Sequence, residues 1–208
     1  KYKIFSILIN NAGIQGSKGK FEENNWKEWK QTIEINLFGS ALMIRESLKV
    51  FTKNNYGKII QLSGGGATKP SPNLSAYASS KAGIVRFIET ISVELKDKNI
   101  YANCVAPGAV NTNMVDEIIS SGPKKVGKEL YEKSLAQKQN GGSSPEHCAN
   151  LVAFLASPKS DGISGKLISA LWDNYLDLLN YKNELAETDV YTLRRIVARD
   201  RDYDWGDK

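Results

Sequence analysis

A tyrosine and a lysine four residues apart, Tyr77 and Lys81, carry the clearest chemical signal in the sequence. Positions four apart share one face of a helix, and residues 73–96 have the apolar periodicity of a helix. An ammonium beside a phenol favours the phenolate, so we expect Lys81 to lower the pKa of Tyr77 from its usual value of about 10. A tyrosine tuned in this way is a general acid or base for a carbonyl or alcohol oxygen. A surface Tyr–Lys pair at helical spacing is the alternative.

Further small or polar residues directly follow short apolar runs that have the composition of strands. They are Asn10, Ala12 and Gly13 after residues 3–9, Ser63 after residues 58–62, and Pro107, Gly108, Val110 and Thr112 after residues 100–105. Small residues let the main chain approach a ligand closely, and hydroxyls can hold a substrate oxygen or a phosphate. Taken singly, each group is equally well explained as an ordinary turn.

The composition limits the classes of function. The chain has 208 residues, enough for one domain with a substantial core. It holds one histidine, His147, and two cysteines, Cys104 and Cys148. We therefore expect no metal site, no Ser-His-Asp triad and no disulfide framework. This cysteine usage fits a reducing compartment, so the sequence predicts a cytoplasmic protein.

Neither a membrane nor a nucleic acid is expected as a partner. The apolar runs are shorter than the roughly 20 residues of a membrane span, and the chain opens on no secretory signal. The net charge of +5 comes from lysines and arginines scattered among acids. A nucleic-acid-binding protein usually gathers such residues on one face.

Apolar runs alternate along the chain with segments of helical periodicity. Strands are predicted at residues 3–9, 58–62, 100–105 and 166–171, and helices at residues 25–51, 73–96, 145–156 and 190–197. The helical segment 25–51 is long enough for two helices with a break near Asn36 or Gly39. This alternation predicts an α/β fold with a doubly wound parallel sheet covered on both faces. Because ligands bind beyond the carboxyl ends of parallel strands, we expect the chemistry in those loops.

Taken in order, these residues resemble the short-chain dehydrogenase/reductase family of the classical type. The matching motifs are Asn-Asn-Ala-Gly at 10–13, Asn36, Ser63, Tyr77-x-x-x-Lys81, and Pro107-Gly108-x-Val110-x-Thr112. The resemblance covers residues 7 to about 171. It implies a Rossmann-like fold and an oxidoreductase that uses NAD or NADP to interconvert a small-molecule alcohol and a carbonyl.

The resemblance also implies a role for each matching residue. Tyr77 would be the catalytic acid/base, Lys81 would lower its pKa and hold the nicotinamide ribose, and Ser63 would orient the substrate oxygen. Asn36 would anchor a water in the proton relay. Further cofactor contacts would come from Asn10, Ala12, Gly13, Pro107, Gly108, Val110 and Thr112.

By the same resemblance, residues 1–171 form a partial Rossmann-like catalytic domain with a substrate lid at 111–142, followed by a C-terminal extension, 172–208. A homodimer or homotetramer through the helices around 37–53 and 73–96 is expected. Residues 191–195 would cover the substrate opening, form a subunit contact, or lie in a solvated helix. The lysines of the lid admit an anionic substrate, although a solvated helix face explains them as well.

Two departures from the family pattern bear on these expectations. The family's first strand, its Thr-Gly-x-x-x-Gly-x-Gly turn and the following helix have no match, so we expect the N-terminal strands to be absent from this sequence. A non-catalytic relative that serves as a structural or binding subunit is therefore the alternative function. In a gap-free alignment on Tyr77, the serine of the family falls on Gly64, and Ser63 fits if the loop absorbs one residue.

Overall fold

A four-stranded parallel sheet forms the centre of the computed structural model, which describes residues 5–206. Its strands are β1 (Ile7–Asn10), β2 (Gly57–Leu62), β3 (Ile100–Ala106) and β4 (Leu167–Ser169). They lie side by side in chain order, and all three pairings are parallel. The four predicted strands are confirmed, with a shorter last strand; the predicted start of β1 at residues 3–4 lies outside the described residues.

Helices connect the strands and follow the last of them. They are α1 (Trp26–Ile33), α2 (Ser40–Asn54), α3 (Ser75–Glu94), α4 (Asn113–Ser121), α5 (Pro123–Val126), α6 (Lys128–Gln139), α7 (Pro145–Ala156) and α8 (Lys182–Glu187). A π-helical segment, Glu34–Gly39, joins α1 to α2, so the predicted break near Asn36 is a change of helix type rather than a turn.

The sheet is covered on both faces, as predicted. Ile59 packs in one buried cluster with residues of α2 and α3, whereas its neighbour Ile60 packs in a second cluster with residues of α7. Successive side chains of a strand point to opposite faces, so the two clusters lie on opposite sides of the sheet. The fold is therefore an α/β arrangement with a doubly wound, Rossmann-like parallel sheet.

The tail after β4 differs from the sequence prediction, because residues 190–197 form no helix. The Leu167 amide of β4 donates to the Tyr191 carbonyl at 2.8 Å, and the Leu193 amide donates to the buried Glu89 carboxylate of α3 at 2.7 Å. These main-chain groups are taken by tertiary partners and are not available to a helical hydrogen-bond ladder. The segment instead runs along the outer side of β4 and α3.

A buried cation lies at the amino ends of the strands. The Lys58 side chain is only 1% exposed, and its Nζ lies 2.6 Å from Asp161 Oδ1 and donates to Ser160 Oγ at 2.9 Å. It also lies 4.3 Å from the centre of the Tyr101 ring. Burial lowers the pKa of Lys58, and the hydrogen bond and charge of Asp161 oppose that shift.

Removing the anion of this pair is expected to cost more than removing the cation. Asp161→Asn leaves a buried ammonium without its counter-charge, so the free energy of unfolding should fall by about 3 kcal/mol. Lys58→Met removes the charge and keeps most of the volume, and should cost less. Urea denaturation at neutral pH measures both, with exposed Asp97→Asn as the control. Equal losses in the two variants would contradict this account.

Candidate active site

A cavity of about 1070 Å³ opens at the carboxyl ends of the strands. The loops after β1, β2 and β3 line one side of it, and α4, α6 and α7 line the other. Most of the predicted site residues are on its wall: Ala12, Gly13, Ser63, Tyr77, Lys81, Pro107, Gly108, Val110 and Thr112. Asn10 and Asn36 are not on the wall, and their side chains instead hydrogen-bond to main-chain groups near it.

Tyr77 and Lys81 enter the cavity from the first turns of α3. The Lys81 side chain is buried, and its Nζ donates to the Leu62 carbonyl at the end of β2 at 3.0 Å. The same Nζ lies 5.7 Å from the centre of the Tyr77 ring. The helical spacing therefore places the phenol and the ammonium together, as the sequence predicts.

Burial sets the pKa of both groups. It raises the pKa of Tyr77 above its ordinary value, and it lowers the pKa of Lys81, against a smaller opposing effect of Cys104. The pKa of Tyr77 is thus shifted in the direction opposite to the one expected from the sequence, and burial of the phenol is the cause. Tyr77 is therefore a protonated phenol at neutral pH.

Asn36 holds the loop after β1 in place. Its Oδ1 accepts from the Ile14 amide at 2.9 Å, and its Nδ2 donates to the Ile14 carbonyl at 2.8 Å and to Ser80 Oγ at 2.9 Å. The residue is buried within the π-helical segment. Its side chain thus fastens residue 14 to α3, and the predicted anchoring of a water remains a prediction.

Gly13 lies at the point where this loop approaches α3 most closely. A Cβ on Gly13 would lie 3.2 Å from Asn36 Oδ1 and 3.6 Å from Lys81 Nζ. A Cβ there would crowd Asn36, whereas its distance to Lys81 is that of an ordinary contact. Asn10 supports the start of the loop, since its Nδ2 donates to the Ser40 carbonyl of α2 at 3.1 Å.

The loop after β3 also depends on a glycine. Gly108 has a φ of 85°, and a Cβ there would overlap the Leu171 side chain that follows β4. This conformation strains any residue with a side chain. The turn leads the chain through Val110 to Thr112, directly before α4, on the cavity wall.

Ser63 and Gly64 lie at the end of β2 with different surroundings. The Ser63 side chain is buried, and its Oγ has no hydrogen-bond partner among residues 5–206. A Cβ added to Gly64 would overlap Tyr77 Oη and lie 3.3 Å from Cζ of the same ring. The phenol therefore lies against Gly64.

Two contacts that the sequence did not indicate join residues 111–142 to the rest of the site. Lys18, in the loop after β1, lies 2.9 Å from the Glu117 carboxylate of α4. Asn73, before α3, donates to the Val126 carbonyl of α5 at 3.1 Å. Both join distant segments and leave no local pattern in the sequence. The buried Gln15 on the cavity wall was missed as well, although it directly follows the Asn-Asn-Ala-Gly-Ile run.

The C-terminal tail lies outside the cavity. Residues 191–195 lie against β4 and α3 and are not on the cavity wall.

None of the helices within residues 5–206 has the length and hydropathy of a membrane span. That same part of the chain brings no three His, Cys, Asp or Glu side chains together in a way that could hold a metal ion.

A family model described as enoyl-(acyl carrier protein) reductase matches residues 1–170. The chain belongs to the short-chain dehydrogenase/reductase family. Dehydrogenase/reductase SDR family member 4 of Sus scrofa is 30% identical over 162 residues, which are 78% of this chain and 56% of that protein. The 3-oxoacyl-[acyl-carrier-protein] reductase FabG of Aquifex aeolicus is 31% identical over 166 residues, 78% of this chain and 62% of that protein.

A solved structure of the short-chain dehydrogenase/reductase fold supports the same assignment. A variant of actinorhodin polyketide ketoreductase with NADPH superimposes with a TM-score of 0.71 at 25% sequence identity. The match covers 81% of this chain and 66% of that one. Across these comparisons the chain spans between about half and two thirds of the length of its relatives.

Proposed function

We propose that this protein is an NAD(P)-dependent oxidoreductase that interconverts a carbonyl and an alcohol. The observation that carries the proposal is the placement of the Tyr77 phenol and the Lys81 ammonium on one wall of the cavity at the carboxyl ends of the strands. A phenol in that place can exchange a proton with a substrate oxygen. Membership of the family and the likeness to a ketoreductase with NADPH support the same chemistry.

The residues present fit the nicotinamide end of such a cofactor. Gly13 and Gly108 bring the main chain to the cavity wall at positions where a Cβ would crowd Asn36 or overlap Leu171. An ammonium has three N–H donors, and the Leu62 carbonyl takes one from Lys81, so ribose hydroxyls can take the others. The cofactor would supply or accept a hydride, and this chain's residues handle the proton.

The proton is transferred by Tyr77. In reduction the neutral phenol donates to the oxygen of the carbonyl as that oxygen gains charge, and in oxidation the phenolate accepts the alcohol proton. Lys81 stabilises the phenolate by its charge. We give Asn36 the supporting role of holding residue 14 beside Lys81, and Thr112 the role of a hydroxyl donor on the part of the wall that follows β3.

The walls of the cavity point to a carbonyl on a largely apolar molecule. Apolar side chains line it from several elements: Ile9, Leu62, Val110, Met114, Ile118, Leu130 and Val152. One relative is named a 3-oxoacyl-[acyl-carrier-protein] reductase. We therefore propose 3-oxoacyl thioesters and comparable ketones as the substrates to test first.

A second copy of the chain is the partner we propose for α2. Phe38 and Leu42 are 61% and 55% exposed, and Met43 and Val50 extend the same apolar stripe along the helix. Such a stripe on a helix is usually covered by another protein surface. Self-association through this helix agrees with the oligomer expected from the sequence.

Tyr77→Phe should abolish turnover and spare cofactor binding. The change removes only the phenol oxygen, so NADPH oxidation against a panel of 3-oxoacyl thioesters and ketones should fall at least about 100-fold. Binding of NADPH, followed by its fluorescence, should stay within about twofold. The matched control is Tyr131→Phe, at a tyrosine of α6 that is not on the cavity wall.

The other outcomes of that experiment are informative. An active Tyr77→Phe variant would overturn the proposed mechanism. Absence of NADPH binding by the unmodified protein would favour the non-catalytic alternative, and binding with a micromolar dissociation constant would reject that alternative.

The pH dependence should differ between the two directions. Because burial raises the pKa of Tyr77, the phenol stays protonated through neutral pH, so kcat/KM for reduction should be flat from about pH 6 to 9. Oxidation needs the phenolate, so its kcat/KM should rise about tenfold per pH unit in that range. A reductive activity that falls through pH 7 would contradict a raised pKa.

The assembly through α2 is tested by light scattering. The protein should have at least twice the mass of one chain, and Leu42→Glu should yield the single-chain mass because it places a charge in the apolar stripe. Lys159→Glu, at an exposed position outside α2, should not change the mass. A monomer before any substitution would rule out this contact.

A further inference from the structure

The residue next to the Tyr77 hydroxyl is a glycine, Gly64, although the backbone conformation at this position does not require a glycine. Gly64 has φ −177° and ψ 168°, an extended conformation open to any residue. What excludes a side chain is the phenol, because a Cβ on Gly64 would overlap Tyr77 Oη and lie 3.3 Å from Cζ. The neighbouring Gly65 has no atom within 4 Å of its Cβ position, so the restriction is specific to one residue of the loop.

Ser63 faces a different environment from Gly64. Its amide donates to the Val105 carbonyl at 2.8 Å, which continues the pairing of β2 with β3 by one residue. In extended chain, successive side chains point to opposite sides, so Ser63 points away from the side on which Gly64 meets the phenol. The Ser63 side chain is 4% exposed, and its Oγ is buried without a hydrogen-bond partner, so little of this side chain is presented to the cavity.

We propose that Gly64 is a positioning residue for Tyr77 and that Ser63 makes no contact with substrate. The missing side chain lets the phenol lie against the main chain at the end of β2, which fixes its oxygen relative to Lys81 and buries it. This inference rests on the proposed function for its effect on turnover. The apposition of Gly64 and Tyr77 itself is independent of any activity.

Three alanine variants test the effect on turnover. Gly64→Ala displaces the phenol and should lower kcat by about 10- to 100-fold, since small displacements of reacting groups are costly. Its KM for the cofactor should stay within about twofold. Ser63→Ala removes a hydroxyl that, on this proposal, makes no contact with substrate, and Ser79→Ala changes an exposed position of α3 outside the cavity wall. Both should keep kcat within about threefold.

The pH profile separates positioning from general damage. A Cβ on Gly64 displaces the phenol from its buried position, and less burial should lower the pKa of Tyr77. The pH at which the rising limb of the oxidation profile reaches its plateau should therefore decrease. A merely structural defect lowers the rate without moving that limb. An unchanged kcat and limb in Gly64→Ala, or a loss in Ser63→Ala as large as in Gly64→Ala, would overturn the inference.

A double-mutant cycle tests the apposition without any turnover. Gly64→Ala should lower the urea midpoint of unfolding, and the loss should be smaller in the Tyr77→Phe background, where the phenol oxygen is gone. Additive effects would overturn the contact even if the enzyme is active. If the coupling is seen and Tyr77→Phe retains full turnover, the proposed function fails and the apposition stands.

Discussion

The Lys81 ammonium is buried at the carboxyl edge of the sheet, and the surrounding loops are arranged around it. A charge removed from water is tolerated only where hydrogen bonds replace its hydration. The Leu62 carbonyl, at the end of β2, accepts one such bond at 3.0 Å. Gly13 lies beside the same ammonium, where a Cβ would be 3.6 Å from Nζ. The cavity therefore lies beside a buried ammonium, Lys81, of which one N–H donates to Leu62 and the others are left for a ligand.

An irregular helix gives that arrangement its support. The π-helical segment between α1 and α2 widens one turn, and π-turns of this kind often occur at functional sites. Here it carries Asn36, whose amide satisfies both main-chain groups of Ile14 and also bonds Ser80 of α3. A regular helix of the same length would rotate Asn36 away from the loop. The irregularity is thus tied to the position of the loop beside Lys81.

The sequence predicts the features that depend on local periodicity and spacing. The strands, α3 with Tyr77 and Lys81 on one face, and the break near Asn36 all follow from the order of residue types. The tail does not, because Glu89 and β4 hold residues 191–193 in a non-helical path through contacts far apart in sequence. The Lys18–Glu117 pair is hidden for the same reason. Periodicity reports local conformation, and these features are decided by tertiary contacts.

The direction of the Tyr77 pKa shift is a second feature that the sequence does not predict. It depends on the packing of the phenol, as does the proposed role of Gly64. Spacing shows that an ammonium is near the phenol, but not how much water is lost around it. A glycine beside the phenol allows it to pack against the main chain, and this packing contributes to the burial that raises its pKa. The charge of Lys81 acts in the opposite direction, at 5.7 Å from the ring centre. Since burial prevails, the pair favours a protonated phenol at neutral pH, which is the form that donates to a carbonyl oxygen. A single small residue thus contributes to the packing that raises the pKa of this phenol.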